Sequence, residues 1–422
     1  MIIFFRICVL LVLISGCGDI GGDIGGDIGG DIFDGGGSGG GSGEPPTGAH
    51  PLYPAFNLDS LPGAGGGAAG FYEPPDLPST TRNVTVSSGN DLEVACATDG
   101  TAVTVPDGAG NIGSIGLEGV TDCDITLGYS VIVNGINIGT GGNPSVRVRV
   151  RGGRIGSISA GPRSTDIVFD SVVVDNDVNG APNRRGGAIF LAANSSSDSV
   201  NRFGFVNSMI RMLPVDAAGF QDGNAYIGDR ARNVFFANNN IITAGNRNSW
   251  AFRVQGGYNF IAVDNAIRVS YHKLIRMNTY LVDYVYVKGG IWMRENTTSP
   301  VGTLNDSFQD VGGDGTDNIF IHDTEVYLRT DLPVGFGASF GPRQNGKSWE
   351  ARRISWHAVN SSVVSDNSLM SAQVRCVPTA VCDYGIGTHT YDYDPTLNFP
   401  TNPWRNLPAL PEDNPDNLTT AH

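Results

Sequence analysis

The sequence predicts an all-β fold: a right-handed parallel β-helix, a single-stranded solenoid, carried on a flexible N-terminal tether. Three observations predict it. Short strands with alternating apolar and polar residues recur along the body, each closed by a Gly, Asn or Asp turn. The body is rich in Gly, Asn, Val and Ile, and hardly any segment has helical periodicity. Equivalent strand residues return at a variable interval whose floor is in the low twenties, as they do when coils share a cross-section but differ in one loop.

The chain is read in order as five segments. Residues 1–16 carry one charge, Arg6, and then an apolar run from Ile7 to Ile14. That run is a signal-peptide h-region and is too short for a bilayer, which takes about 20 residues. Ile14-Ser15-Gly16-Cys17 resembles the lipobox of bacterial lipoproteins, which implies lipidation of Cys17 and a cell-envelope location through a lipid anchor alone. The competing reading is an ordinary signal peptide ending at a chance Cys. Residues 17–49, a Gly-Asp-Ile-Gly repeat followed by a Gly/Ser tract, have the composition of a flexible linker. About 30 such residues reach roughly 30 Å. Residues 50–82, with Pro51, Pro54, Pro62, Pro74, Pro75 and Pro78, form an extended lead-in. Residues 83–392 are the β-helix domain, and residues 393–422 a Pro-rich tail whose Trp404 and Leu407 are candidates to seal the last coil.

Within the body the recurring phrase begins at Asp166-Ile-Val-Phe, Asn201-Arg-Phe-Gly, Asn233-Val-Phe-Phe, Asn259-Phe-Ile-Ala, Asp283-Tyr-Val-Tyr and Asn318-Ile-Phe-Ile. Aligning Ile167, Phe203, Val234, Phe260, Tyr284 and Ile319 gives intervals of 36, 31, 26, 24 and 35 residues. The phrase and its Asn-rich turns, suited to left-handed corners, resemble the pectate-lyase-like β-helix superfamily over most of the body. A shared fold says little about chemistry.

Four cysteines remain after Cys8 and Cys17: Cys96, Cys123, Cys376 and Cys382. In an exported chain they suggest disulfides. Cys96 and Cys123 are 27 residues apart, about one coil, so they are expected one above the other. Cys376 and Cys382 would close a small loop near the C-terminus. No Cys or His spacing suits a zinc site. Gly312-Gly-Asp-Gly-Thr-Asp-Asn-Ile-Phe320 matches one calcium nonapeptide, so calcium at Asp314 and Asp317 is an option; a turn before a strand is the plainer reading. No cofactor is required.

The formal charge is −15, which argues against nucleic acid as a partner. It is unevenly spread. From Arg230 to Arg294 nine basic residues face two acids, a surplus of seven positive charges, and aromatics accompany them. A second basic run, Val146-Arg-Val-Arg-Val-Arg151, is expected to point its Val residues inward and its Arg residues outward. Arg pairs bidentately with carboxylate or sulfate, so an anionic polysaccharide is the expected partner of a monomeric chain. The alternative is that these cations are solvated or paired with acids on neighbouring coils.

Trp250-Ala-Phe-Arg-Val-Gln-Gly-Gly257 is echoed one coil later by Tyr271-His-Lys-Leu-Ile-Arg-Met-Asn278, placing Arg253 and Arg276 23 residues apart and stacked. A uronate-polysaccharide lyase needs a cation to neutralise the carboxylate, a base for the C5 proton and an acid for the leaving oxygen. Lys273 or His272 is the candidate base and Tyr271 or Arg294 the candidate acid. Arg253, Arg276, Trp250, Gln255, Lys288 and Trp292 are the candidate binding residues. The order of Lys273 and Arg294 is similar to the lysine-base, arginine-acid arrangement of alginate and chondroitin lyases with this fold. Two function classes follow: an envelope lipoprotein that binds and cleaves a uronate polysaccharide by β-elimination, or a non-catalytic surface protein such as a glycan-binding module, adhesin or coat component.

Overall fold

The computed structural model describes residues 56–57, 71–176, 187–193, 198–212, 222–243, 248–269, 273–277, 282–296, 308–310, 316–330, 340–341, 348–373 and 381–398. All belong to the unit Pro45–His422. The signal segment, Cys17, the linker, Trp404 and Leu407 lie outside the described residues.

Strand is the dominant element of the described residues, which hold two eight-residue helices. Three long parallel sheets of twelve, ten and nine strands carry it. The chain visits them in rotation. Thr165–Asp170 lies in the twelve-stranded sheet, Val173–Asp175 in the ten-stranded sheet and Gly187–Leu191 in the nine-stranded sheet; Asn201–Val206 then returns to the first. Each strand pairs in parallel with its counterparts one turn before and after. This cycling is consistent with a parallel β-helix.

Alternation explains what fills the middle. Ile167, Phe169, Phe203, Phe205, Val234, Phe236, Phe252 and Phe260 belong to one buried core cluster. Rings stack from coil to coil, with Phe169–Phe205 centroids 5.4 Å apart and Phe205–Phe236 5.8 Å, and Phe236 meets Phe252 of the nine-stranded sheet at a tilt, 5.0 Å away. Each buried ring contributes about 1.5–3 kcal/mol of apolar transfer. Ile167, Phe203, Val234 and Phe260 are in register as the sequence spacing predicts. The next rung, however, is Val285 and not Tyr284. Tyr284 occupies a different stack, at φ 55°.

That stack is a repeated left-handed rung near the start of each strand of the twelve-stranded sheet. Asp122, Arg147, Asp166, Arg202, Asn233, Asn259, Tyr284 and Asn318 all have positive φ and are skipped by the pairing on either side. Asn and Asp tolerate this backbone because their short polar side chains bond locally. The rungs bond to one another: Arg147 Nε donates to Asp122 at 2.6 Å, Arg202 pairs with Asp166 at 2.7 Å, and Asn259 donates to Asn233 at 2.8 Å. A second left-handed stack, Ser171, Asn207, Asn238, Asp264, Gly289 and Asp323, forms the corner where the same strands end. One residue beyond it, the buried Asn239 amide donates to Asn265 Oδ1 at 2.9 Å and to Phe205 O at 2.8 Å. The Asn-rich turns of the sequence are thus internal hydrogen-bonding columns.

The lead-in is a strap over the twelve-stranded sheet. The backbone N–H groups of Glu73, Asp76 and Ser79 donate to Asn233, Asp166 and Asp122 at 3.3, 2.9 and 3.0 Å. Three strap residues therefore cross two coils. Two inter-strand spacings make about 9.6 Å, and three extended residues span about 10 Å. Leu77 packs against an outward apolar cluster that includes Val168, Phe235, Ile261, Tyr286 and Phe320.

The Cys96–Cys123 bridge is present, its ends 27 positions apart in sequence. Its geometry differs from two stacked strands. Cys96 ends the helix Gly89–Cys96, while Thr101 and Val148 are the register neighbours of Cys123. Ser88 starts that helix by accepting from Asp91 N–H at 3.2 Å, and Leu92, Ala95 and Cys96 bury its inner face in the core. The bridge therefore ties a helix to the sheet. Cys382 is also disulfide-bonded, and Cys376 lies outside the described residues.

Candidate functional site

The surplus of positive charge between Arg230 and Arg294 does not form one patch, because three sheets share it. Arg232 and Lys288 lie on the twelve-stranded sheet, Arg268 on the ten-stranded sheet, and Arg253, Lys273 and Arg276 on the nine-stranded sheet. Arg294 is 2% exposed and sits in register between Val269 and Leu328, both core residues. Trp292, fully buried, lies in register with Ile267 and Val326 and packs 6.0 Å from Phe252. The expectation of Arg294 as a surface acid and Trp292 as a sugar platform is corrected accordingly. Both face inward, because alternation along Ile291-Trp-Met-Arg294 puts positions 292 and 294 on the core side.

The second basic run is held by acids. Arg147 pairs with Asp122, Arg149 and Arg151 with Asp124, and Arg154 with Asp175. Val148 and Val150 point inward, as alternation predicts. Here the acid-paired alternative describes the molecule, and Arg147 lowers the Asp122 carboxyl below its ordinary range through their hydrogen bond.

The nine-stranded sheet brings together what remains. Strand Asn248–Gln255 pairs with strand Lys273–Met277, with Arg253 opposite Arg276 and Trp250 opposite Lys273. Trp250 is 1% exposed, so the expectation that its ring meets ligand is corrected: it supports the two guanidinium groups from beneath, with Arg253 5.5 Å and Arg276 4.5 Å from its centroid. The ring's negative face offsets part of the repulsion between two like charges. Gln255 ends the same strand opposite Asp229. Burial raises the Asp229 carboxyl, and the charges of Arg230 and Arg253 oppose that rise. Tyr271 and His272 lie outside the described residues, as does the Lys273 side chain. Asp314 is likewise outside, and so is the Asp317 side chain.

A second constellation escaped the sequence reading. On the outer face of the twelve-stranded sheet, Lys288, His322 and Arg352 are in register, beside Tyr286, Phe320, Glu350 and Asp383. His322 Nε2 is 3.0 Å from Glu350 Oε1, and both residues are 4% exposed. Arg352 reaches the same carboxylate at 2.9 Å and Asp383 at 2.5 Å. Edge-on contacts with Tyr286 and Phe320 enclose the imidazole. Burial and then the Arg353 charge depress His322 to about 4, while burial raises Glu350. Tyr286 is pushed up to about 12, chiefly by burial. The available signal was Phe320: an apolar residue on the outward phase of Asn318-Ile-Phe-Ile-His322 marks a covered face.

Among the described residues no three His, Cys, Asp or Glu are placed to hold a metal ion, and no helix is long and apolar enough to cross a membrane. No protein-family model, no curated protein and no solved structure matches the chain.

Proposed function

We propose that this chain is a right-handed parallel β-helix that binds an anionic, uronate-containing polysaccharide on its nine-stranded sheet, tethered to the cell envelope by lipid on Cys17. The handedness rests on the strong chiral preference of parallel strand crossovers, about 98% right-handed. The anchor rests on Ile14-Ser15-Gly16-Cys17. The binding face rests on one observation: Arg253 and Arg276 are stacked in register over Trp250. Adjacent strands lie about 4.8 Å apart, so two guanidinium groups one rung apart can each take a carboxylate oxygen pair. Gln255 supplies a hydrogen-bonding amide on the same strand.

β-Elimination is the second reading. Lys273 lies opposite Trp250 and three residues from Arg276 on one strand, within the same neighbourhood as the proposed carboxylate clamp. With Arg294 in the core, the acid would come from Tyr271. The full chain is titrated with uronate polysaccharides while the ultraviolet absorbance of the unsaturated product is followed. Saturable binding that falls at least tenfold in Arg253→Gln/Arg276→Gln supports the face. A rise in absorbance abolished by Lys273→Ala adds the lyase. Binding that survives the double substitution would sink the reading.

A further inference from the structure

Three coils on the N-terminal side of the arginine pair, the outer face of the nine-stranded sheet changes character. Strands Gly135–Ile138, Ile158–Ala160 and Gly187–Leu191 stack there, with Asn137, Ser159 and Phe190 in one outward register row. The row and the turns that follow the first two strands enclose an open surface pocket of about 440 Å³. That volume lies within the roughly 300–1,000 Å³ typical of small-ligand sites. Phe190 is 38% exposed on one wall. Gly161 lines it without room for a side chain, since a Cβ there would meet the Gly139 carbonyl oxygen at 2.1 Å.

We propose that this pocket is a binding site for an uncharged sugar, stacked on Phe190 and separate from the anionic site. Chemistry selects the class. The walls combine one exposed aromatic face with Ala192 and with the polar side chains of Asn137, Thr140 and Ser159. Among the described residues, neither the Asn137 amide nor the Ser159 hydroxyl has a hydrogen-bond partner. An apolar ring face bordered by hydroxyl groups matches such a surface; a purely apolar ligand would leave those groups unanswered. Charge at the rim is already answered. Arg163 pairs with Asp198 at 3.4 Å, and the Glu118 carboxylate accepts from Gly141 N–H at 2.8 Å and from the Thr140 hydroxyl at 3.2 Å. Among the described residues Arg163 is the one cation that lines the pocket, and it is paired with Asp198, so neutral sugars are preferred to uronates.

The test uses the full chain and four neutral disaccharides: cellobiose, maltose, mannobiose and N,N′-diacetylchitobiose. Binding is read by ligand-observed saturation-transfer NMR and titration. At least one is expected to bind saturably, at least tenfold more weakly in Phe190→Ala and in Ser159→Trp, which fills the pocket without deleting a wall. Arg253→Gln/Arg276→Gln is expected to leave that binding unchanged, and thermal melts of all variants check that each is folded. No saturable binding by any of the four overturns the proposal, as does binding that survives both pocket variants or is lost in the arginine variant. Loss of anionic polysaccharide binding with neutral binding intact would count against the anionic site alone.

Discussion

His322 shows how a residue's surroundings convert into a pH dependence. Its imidazole is depressed to about 4 from an ordinary 6.5, so the folded chain refuses a proton that the unfolded chain accepts. Stability is then complete above pH 6.5 and is lost as pH falls from 6.5 toward 4. At about 1.4 kcal/mol per unit, the loss is on the order of 3 kcal/mol. Glu350 acts in the opposite direction. Its raised carboxyl takes a proton in the folded state before it does in the unfolded chain, so falling pH favours folding through that group. The two groups therefore contribute slopes of opposite sign as pH falls. His322→Gln is therefore expected to flatten denaturant midpoints between pH 6.5 and 4 and to leave Glu350's opposite slope exposed. Wild-type and His322→Gln profiles that run parallel across that window would show that the imidazole titrates normally.

At the scale of elements, the strap and the ladder beneath it depend on each other. Asp166 is 1% exposed and serves three partners, accepting from Asp76 N–H at 2.9 Å and from the Thr165 hydroxyl at 3.2 Å and pairing with Arg202 at 2.7 Å. Asp166→Ala removes all of these at once, leaving Arg202 with the more distant carboxylates of Glu73 at 3.7 Å and Asp76 at 4.0 Å. Breaking a largely buried ion pair costs about 3–5 kcal/mol. The local readout is more specific: hydrogen exchange at the Asp76 amide is expected to accelerate more than at Ser79, which keeps Asp122. Equal acceleration along 73–79 would mean that the strap detaches as one piece. This element also shows what the sequence made legible. The Pro-rich composition predicts an extended lead-in, but its docking depends on side chains 43 to 160 residues away. The rungs at Phe203, Val234 and Phe260 were legible because period-two alternation is local. Tyr284 broke the alignment because there Tyr itself fills the left-handed rung and Asp283 stands one residue before it, so matching Asp283 to Asn233 and Asn259 slips the phrase by one. Arg294 and Trp292 misled because charge and aromaticity were read without phase; Met293, between them, is the outward residue. The register of Arg253 with Arg276 was legible from an echoed phrase, whereas the Trp250 ring beneath both required the fold.

At the scale of the whole molecule, a stack of parallel coils behaves as a nearly one-dimensional array. Each coil leans on its two neighbours, so the ends are weakest and need caps. The helix Gly89–Cys96 lies beside the first strands, and the Cys96–Cys123 bridge fastens it to strand Thr121–Leu127. Closing a loop of 27 residues contributes about 3.5 kcal/mol in the chain-entropy treatment. In a two-state globule that loss would lower every amide's protection equally. In a stacked array it falls on the end that loses its clamp. Cys96→Ala/Cys123→Ala is therefore expected to raise exchange rates across Arg82–Leu127. The coils holding Phe205, Phe236, Phe252 and Phe260, whose rings contact one another at 5.0 to 5.9 Å, are expected to keep theirs. Strands Glu325–Thr330 and Ser355–Ala358 should respond least, because their strand partners all lie in adjacent coils, far along the stack from the bridge. Uniform loss of protection from Arg82 to Ala358 would show that the coils unfold as one unit. Loss confined to the first coils would place the weakest point beside the lead-in.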